Sequence, residues 1–347
     1  RVDDLYWLGL LNGLSMAVHI LALIPLFCYI VFIFYLLAGK RLRIGDLIVV
    51  VLLWIIGALP YEYLIVEAMT QTGDIAGTLA SAAFGTRWQG AVLNTSLSMQ
   101  IAGENFLYIL FNFPTPNILL FLVGCFGLLR MSSDRAFRNV LLGSIVLFFI
   151  FAFRYTVPDR YAFFIPFYCG VSILTGLGTY LLQDQMNRKA FAFLVLFFSL
   201  VPVGVYAAAP TLARRIHLNI GTRGDIPYRS DYEYFLRPWK TGYTGAERFA
   251  REALDLAAEN ALIYADATTA APLLLAQEIE GKRPDVKIIS GAVNSKDAPR
   301  LDAQTIGQLL EERAIYVVCP QPQYCPKFVL DNYDLVQTGI LWRVTKR

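Results

Sequence analysis

Charge is what this chain has least of. Only 16% of its 347 residues are Asp, Glu, Lys or Arg, while 56% are hydrophobic; soluble domains run near about 25% and roughly 45–50%. The deficit is uneven. Residues 1–209 are apolar runs cut by short charged loops, and residues 210–347 read as an ordinary soluble domain. The net charge of +3 comes with no basic stripe, which argues against a nucleic-acid partner. HExxH, GxSxG, paired CxxC and Walker patterns are all missing, as is a Gly-rich phosphate loop, so no nucleotide site and no cofactor is expected. No repeat of fixed period and no low-complexity tract appears. The chain opens Arg1-Val2-Asp3-Asp4 without Met or a signal-peptide layout, which reads as a fragment whose beginning is missing.

Cysteine is also sparse, with five in all. Cys28, Cys125 and Cys169 fall inside apolar runs and read as small hydrophobes. Cys319 and Cys325 lie in the soluble part, separated by prolines and polar residues. In an oxidising compartment they are expected to pair into a small loop. Their spacing is not a zinc signature and no His stands near, so no metal site is expected.

What is present is a series of apolar runs. A crossing needs about 20 apolar residues for roughly 30 Å of hydrocarbon. Residues 5–14, interrupted by Gly9, Asn12 and Gly13, read as a short helical or re-entrant piece, and residues 15–38 as the first full span. Further spans are expected at 46–66, 106–129, 139–153, 161–182 and 190–209. Pro114 and Pro116 predict a kink or a surface segment leading into the third. Alternate loops hold the cations: Lys40, Arg41 and Arg43; Arg130, Arg135 and Arg138; Arg188 and Lys189. The positive-inside rule makes these loops cytoplasmic. The fold class is therefore an α-helical polytopic membrane bundle of about six spans followed by an extracytoplasmic soluble α/β domain.

Within residues 210–347, a capping-box pattern at Thr244-Gly245-Ala246-Glu247 opens a helix to about Glu259. Strands are predicted at 261–265, 286–290 and 314–318, with helices at 271–280 and 303–313. Pro272 is expected in the first turn of the first of these two helices. A hairpin around Thr338-Gly339 closes the chain. Alternating helix and strand points to a mostly parallel sheet.

The chemistry-bearing residues are polar groups at membrane level or just outside it. Arg154, Asp159 and Arg160 stand within seven residues between two spans. They read either as a clamp for an anionic lipid phosphate, with Asp159 orienting an Arg, or as a solvated turn with a local salt bridge. His19 lies in an apolar run, as a functional intramembrane group or a neutral His bonded to a neighbouring helix. Glu62, flanked by Tyr61, reads as a group for a hydroxyl-rich substrate, as a base, or as a solvated interfacial carboxylate. Arg87-Trp88 reads as a sugar- or phosphate-facing pair or as a surface stack. Asp266 ends a strand, where α/β sheets bind ligands, or forms an Asx-turn.

These stretches resemble a known family. Gly13-Leu14-Ser15 through His19 and Pro25, Leu59-Pro60-Tyr61 with Tyr63-Leu64, and Val157-Pro158-Asp159 with Phe163-Phe164-Ile165-Pro166 carry the resemblance. Asn260-Ala261-Leu262-Ile263 with Asp266, and Glu280-Gly281 followed by Arg283-Pro284-Asp285-Val286, continue it. The chain is similar to bacterial membrane proteins of unknown function related to the eukaryotic transmembrane protein O-mannosyltransferase, in the GT-C class of lipid-dependent glycosyltransferases. Departures fall at Ala17-Val18 before His19, at Ile65 and Glu67, and at Ala265 before Asp266. The resemblance implies an enzyme of the bacterial inner membrane, using a polyprenyl-phosphate sugar donor, membrane lipid, and a protein or glycan acceptor. It also implies a principal acidic residue upstream of Arg1. Rival readings are a transporter or flippase for a lipid-linked substrate, and a non-enzymatic envelope scaffold.

Overall fold

The computed structural model describes residues 2–347 except 86–88, 93, 95, 131–134, 158–159, 221–225, 292–293 and 323, with the Gln89 side chain also undescribed. Contacts divide the chain into two compact units, Arg1–Pro202 and Val203–Arg347.

The first unit is helical. It contains α1 (Val2–Val18), α2 (Leu23–Ala38), α3 (Ile44–Thr72), α4 (Ile75–Phe84), α5 (Gln89–Val92), α6 (Met99–Asn112), α7 (Leu119–Arg130), α8 (Arg135–Arg154) and α9 (Ile165–Leu182). The long helix α10 (Arg188–Arg215) carries the division between the units. The expected boundary at residues 209 and 210 thus falls inside a helix, through Pro210, and not at a linker. Among the described residues five helical stretches are long and apolar enough to cross a membrane: Ile20–Ala38, Ile44–Thr72, Arg135–Arg154, Arg160–Leu182 and Arg188–Arg215. The pair Met99–Asn112 and Pro116–Arg130 makes a sixth if counted as one span, bent by 104°. Pro114 and Pro116 sit at that bend, where the missing amide donors make a helix break cheap.

The start of the chain differs from expectation. The interruption is at His19, not near Leu14: α1 is continuous to Val18, and His19 adopts an extended backbone (φ −159°, ψ 135°). Leu5 packs with Leu42 and Val50 beside Leu36 and Leu37, while Met16 packs with Ala22, Ala58 and Tyr61. So α1 runs alongside α3 in the same direction, and the chain reverses at residues 19–22 into α2. Gly9, Asn12 and Gly13 are the packing face of α1, not defects in it. A Cβ on Gly57 would lie 2.5 Å from the Leu10 carbonyl oxygen and 2.6 Å from the Leu14 nitrogen. Such small-residue contacts let membrane helices approach closely. Asn12, buried among apolar neighbours, donates to the Ala22 carbonyl (3.1 Å) and accepts from the Trp54 indole (2.9 Å). Tyr6 donates to Asp46 at 2.9 Å, fixing the opposite end of the pair. Gly124 and Gly178 play the same part between α7 and α9.

The second unit adds α11 (Asp231–Leu236), α12 (Gly245–Leu256), β1 (Leu262–Tyr264), α13 (Ala267–Glu280), β2 (Lys287–Ile289), α14 (Ile306–Glu312), β3 (Ile315–Val317), α15 (Lys327–Asn332), β4 (Tyr333–Thr338) and β5 (Leu341–Lys346). The sheet order is β2-β1-β3-β5-β4. β1 pairs in parallel with β2 and β3, and the closing hairpin, turning at Gly339 (φ +59°), adds antiparallel. α12 presents Phe249, Ala250, Ala253 and Leu254 to a core with Ile263, Leu273 and Ile288. The expected helices appear with two corrections. Thr244 makes no side-chain cap bond, so the capping box does not form. α13 starts at Ala267, capped by Asp266, which places Pro272 past its first turn.

Candidate functional site

His19, Tyr61, Arg154 and Arg160 stand at the end of the bundle where α1 turns into α2 and α8 turns into α9. The 3-10 turn Arg160–Phe164 separates two groups of contacts. On one side Phe163 meets the His19 ring edge-on at 6.0 Å and Tyr155 at 4.6 Å. Phe151, which also contacts Phe163, lies under the Arg154 guanidinium at 5.6 Å. On the other side Arg160 and Phe164 turn into the bundle against α6.

Arg160 is 9% exposed. Its Nε donates to Asn105 Oδ1 at 3.1 Å and its Nη2 pairs with the Glu104 carboxylate. The guanidinium lies 5.5 Å from the Tyr108 ring. Asn105 is fully buried, and its amide donates to the Phe153 carbonyl at 2.6 Å, closing a bridge from α6 to α8. A buried cation needs such a matched set of acceptors, because desolvation otherwise outweighs its attraction. Nη1 of Arg160 has no partner among the described residues.

Arg154 behaves differently. Nη1 donates to the carbonyls of Val92 and Asn94, both at 2.7 Å. The segment before α6 supplies the partners of Arg154, and α6 itself those of Arg160. Arg154 is a brace for residues 92–94. Asp159 lies outside the described residues, as do Arg87 and Trp88.

His19 is exposed and works as a cap: its Nδ1 accepts from the Leu21 amide at 3.1 Å. It belongs to the turn between two helices and not to the interior of a span. Tyr61 donates to the Ala82 carbonyl at 2.7 Å and so holds α4 over α3. Glu62, half-exposed beside it, contacts neither arginine among the described residues. Glu104 and Asn105 were not singled out from the sequence. The signal available was the polar triplet Gly103-Glu104-Asn105 ahead of an apolar run.

In the second unit Asp266 takes the Asx role. Its Oδ1 accepts from the Thr269 amide at 3.0 Å and hydroxyl at 2.7 Å. Cys319 and Cys325, expected to pair, are both buried and are not joined by a disulfide in the structure. Burial, and secondly the neighbouring Cys319, push the Cys325 thiol up to about 12. A short turn, with the Tyr324 and Cys325 amides both donating to the Gln321 carbonyl at 2.9 Å, sets the two side chains in separate packing clusters. Among the described residues no group of three His, Cys, Asp or Glu side chains is placed to hold a metal ion.

Compared with known proteins, the chain matches no family model, no curated protein and no solved structure.

Proposed function

We propose that this chain belongs to a membrane glycosyltransferase that moves a sugar from a polyprenyl-phosphate carrier to a hydroxyl of a protein or glycan on the non-cytoplasmic side of a bacterial inner membrane. The observation that carries this reading is Arg160: a buried cation at a helix break of an apolar bundle, gripped by Glu104 and Asn105, with no partner for Nη1 among the described residues. In glycosyl transfer from a lipid phosphate, negative charge gathers on the leaving phosphate, and a preorganised guanidinium stabilises it without reorganising. Arg suits this because it stays charged and binds phosphate in a planar fork. Glu104 is engaged with Arg160, and its role is to aim the guanidinium. The acceptor hydroxyl therefore needs a different carboxylate to take its proton. The resemblance to the GT-C class supports the same chemistry. The orientation follows from the cations at Lys40–Arg43, Arg130–Arg138 and Arg188-Lys189.

The test is transfer from a radiolabelled polyprenyl-phosphate sugar by the purified protein in liposomes. Covalent label on an acceptor supports the reading. Label that crosses the bilayer without being transferred favours the second reading, a lipid-linked substrate transporter. The observation favouring that alternative is the pair of helix discontinuities, at residues 19–22 and 113–118, since broken helices also build transporter sites.

A further inference from the structure

The helix α10 has 28 residues, about 42 Å at a rise of about 1.5 Å per residue. A hydrocarbon core is only about 30 Å thick, so the last turns of a crossing helix of this length stand among lipid headgroups. Those turns carry Arg214 and Arg215 next to exposed Leu212 and Ile216. α11 is fastened at the same level. Arg214 reaches Ser230 Oγ at 3.5 Å and Glu233 at 3.9 Å, and its guanidinium lies 5.7 Å from the Tyr232 ring.

The surface of this segment is aromatic: Tyr234, Phe235 and Trp239 are 37–39% exposed. It is also rigidly built. Lys240 closes the end of α11 by donating to the carbonyls of Glu233 (3.3 Å), Tyr234 and Arg237 (2.6 Å). Arg229, paired with buried Asp231 at 2.6 Å, stacks over Tyr234 at 4.4 Å. These contacts fix the end of α11 and the Tyr234 ring, beside which Phe235 and Trp239 are exposed.

We propose that Tyr234, Phe235 and Trp239 seat in the headgroup layer of the bilayer crossed by α10, making residues 230–240 an interfacial anchor. The lipid is chosen over a protein partner by continuity. The segment that bears the rings is tied through Ser230 and Glu233 to Arg214 in the last turn of α10, a helix that exposes Leu200, Val203 and Leu212 as a lipid surround requires. Amphipathic rings collect at that depth, and Arg215 in the last turn of α10 suits phosphate. The inference rests on α10 crossing a membrane and not on sugar transfer.

The test uses the whole protein in phosphatidylcholine nanodiscs, with and without lipids brominated near the top of the acyl chains. The emission of wild type minus Trp239→Phe isolates Trp239. A second variant, Phe235→Trp, adds an emitter on α11 in the otherwise native chain. Both signals are expected to lose at least half their intensity in brominated lipid and to resist aqueous iodide. Signals indifferent to brominated lipid and quenched by iodide would overturn the anchor, whichever of the two variants is recovered folded.

Discussion

Glu104 and Arg160, 56 residues apart in sequence, form an ion pair that joins the start of α6 to the turn before α9. The pair is only partly shielded on the carboxylate side, with side-chain exposures of 11% for Arg160 and 37% for Glu104. That asymmetry makes Glu104 the replaceable member. In Glu104→Gln the carboxamide keeps one acceptor for Nη2, and the bundle should fold with a modestly lower melting temperature. Glu104→Ala leaves a buried guanidinium short of an acceptor and should cost about 1–3 kcal/mol, the exposure of the carboxylate side keeping the loss below that of a fully buried pair. Thermal unfolding in detergent of the two variants side by side checks the order.

Arg154 supports residues 92–94 through two carbonyls. Hydrogen bonds to a charged group contribute about 1.5–3 kcal/mol, so Arg154→Ala should loosen that segment. Limited proteolysis should cut between α4 and α6 faster than in wild type, with the helical content unchanged. Equal cleavage rates would show that the brace is not needed.

The glycine contacts set a steric limit. A side chain on Gly57 would press on the backbone of α1 at Leu10 and Leu14. Overpacking costs about 1–3 kcal/mol, and here the neighbour is main chain, which yields little. Gly57→Val should therefore lower the melting temperature, whereas Gly45→Ala, with nothing within 4 Å of a new Cβ, should not.

The α/β unit carries an acid-sensitive brace. Arg283, at φ +47°, donates to the carbonyls of Leu254 and Ala257 at 2.9 and 2.8 Å, and to Asp285 at 2.8 Å. The Arg283 bond holds the Asp285 carboxyl far below the usual carboxylate range, helped by the Asn260 amide. A carboxylate with a depressed folded value contributes stability that is fully present above its unfolded value, about 3.9, and is lost as pH falls through the folded one. Wild type should thus lose urea resistance in this unit below about pH 4. Asp285→Asn should be less stable at neutral pH and lose less over the same acid range, where Asp302 and Glu311, also held below their ordinary values, still titrate.

Burial makes Cys325 a slow nucleophile, because the thiolate is the reactive form and its thiol is pushed up to about 12. Maleimide at pH 8 should label Cys325 only after denaturation. Rapid labelling of the native protein, read by mass spectrometry, would contradict the packing described for the Gln321–Cys325 turn.

Much of the architecture is visible in the chain itself. Apolar runs mark the long helices because lipid-exposed helices must be apolar on nearly every side, and the α/β alternation shows in Phe249, Ala253 and Leu254 at helical spacing. The hairpin at Gly339 is local, so its turn residue announces it. Two features are not local. Gly9, Asn12 and Gly13 look like interruptions until α3 is placed against them. The partners of Arg154 and Arg160 come from 55–62 residues away, and no spacing rule links a cation to an acceptor at that range. α13 starts at Ala267, earlier than Pro272 as a first-turn residue implies, and α15 is too short to show in the apolar pattern.

The most direct measurement is sugar transfer by Arg160 variants in reconstituted membranes, at matched expression and insertion. Losing a charge-assisted bond to phosphate should reduce donor-dependent transfer by roughly ten- to more than a hundredfold. Arg160→Ala is predicted to show that loss, Arg160→Lys a smaller one, because a point charge replaces the fork, and Arg154→Ala to stay closer to wild type. Transfer by Arg160→Ala at the wild-type rate, with the protein folded and inserted, would contradict the account.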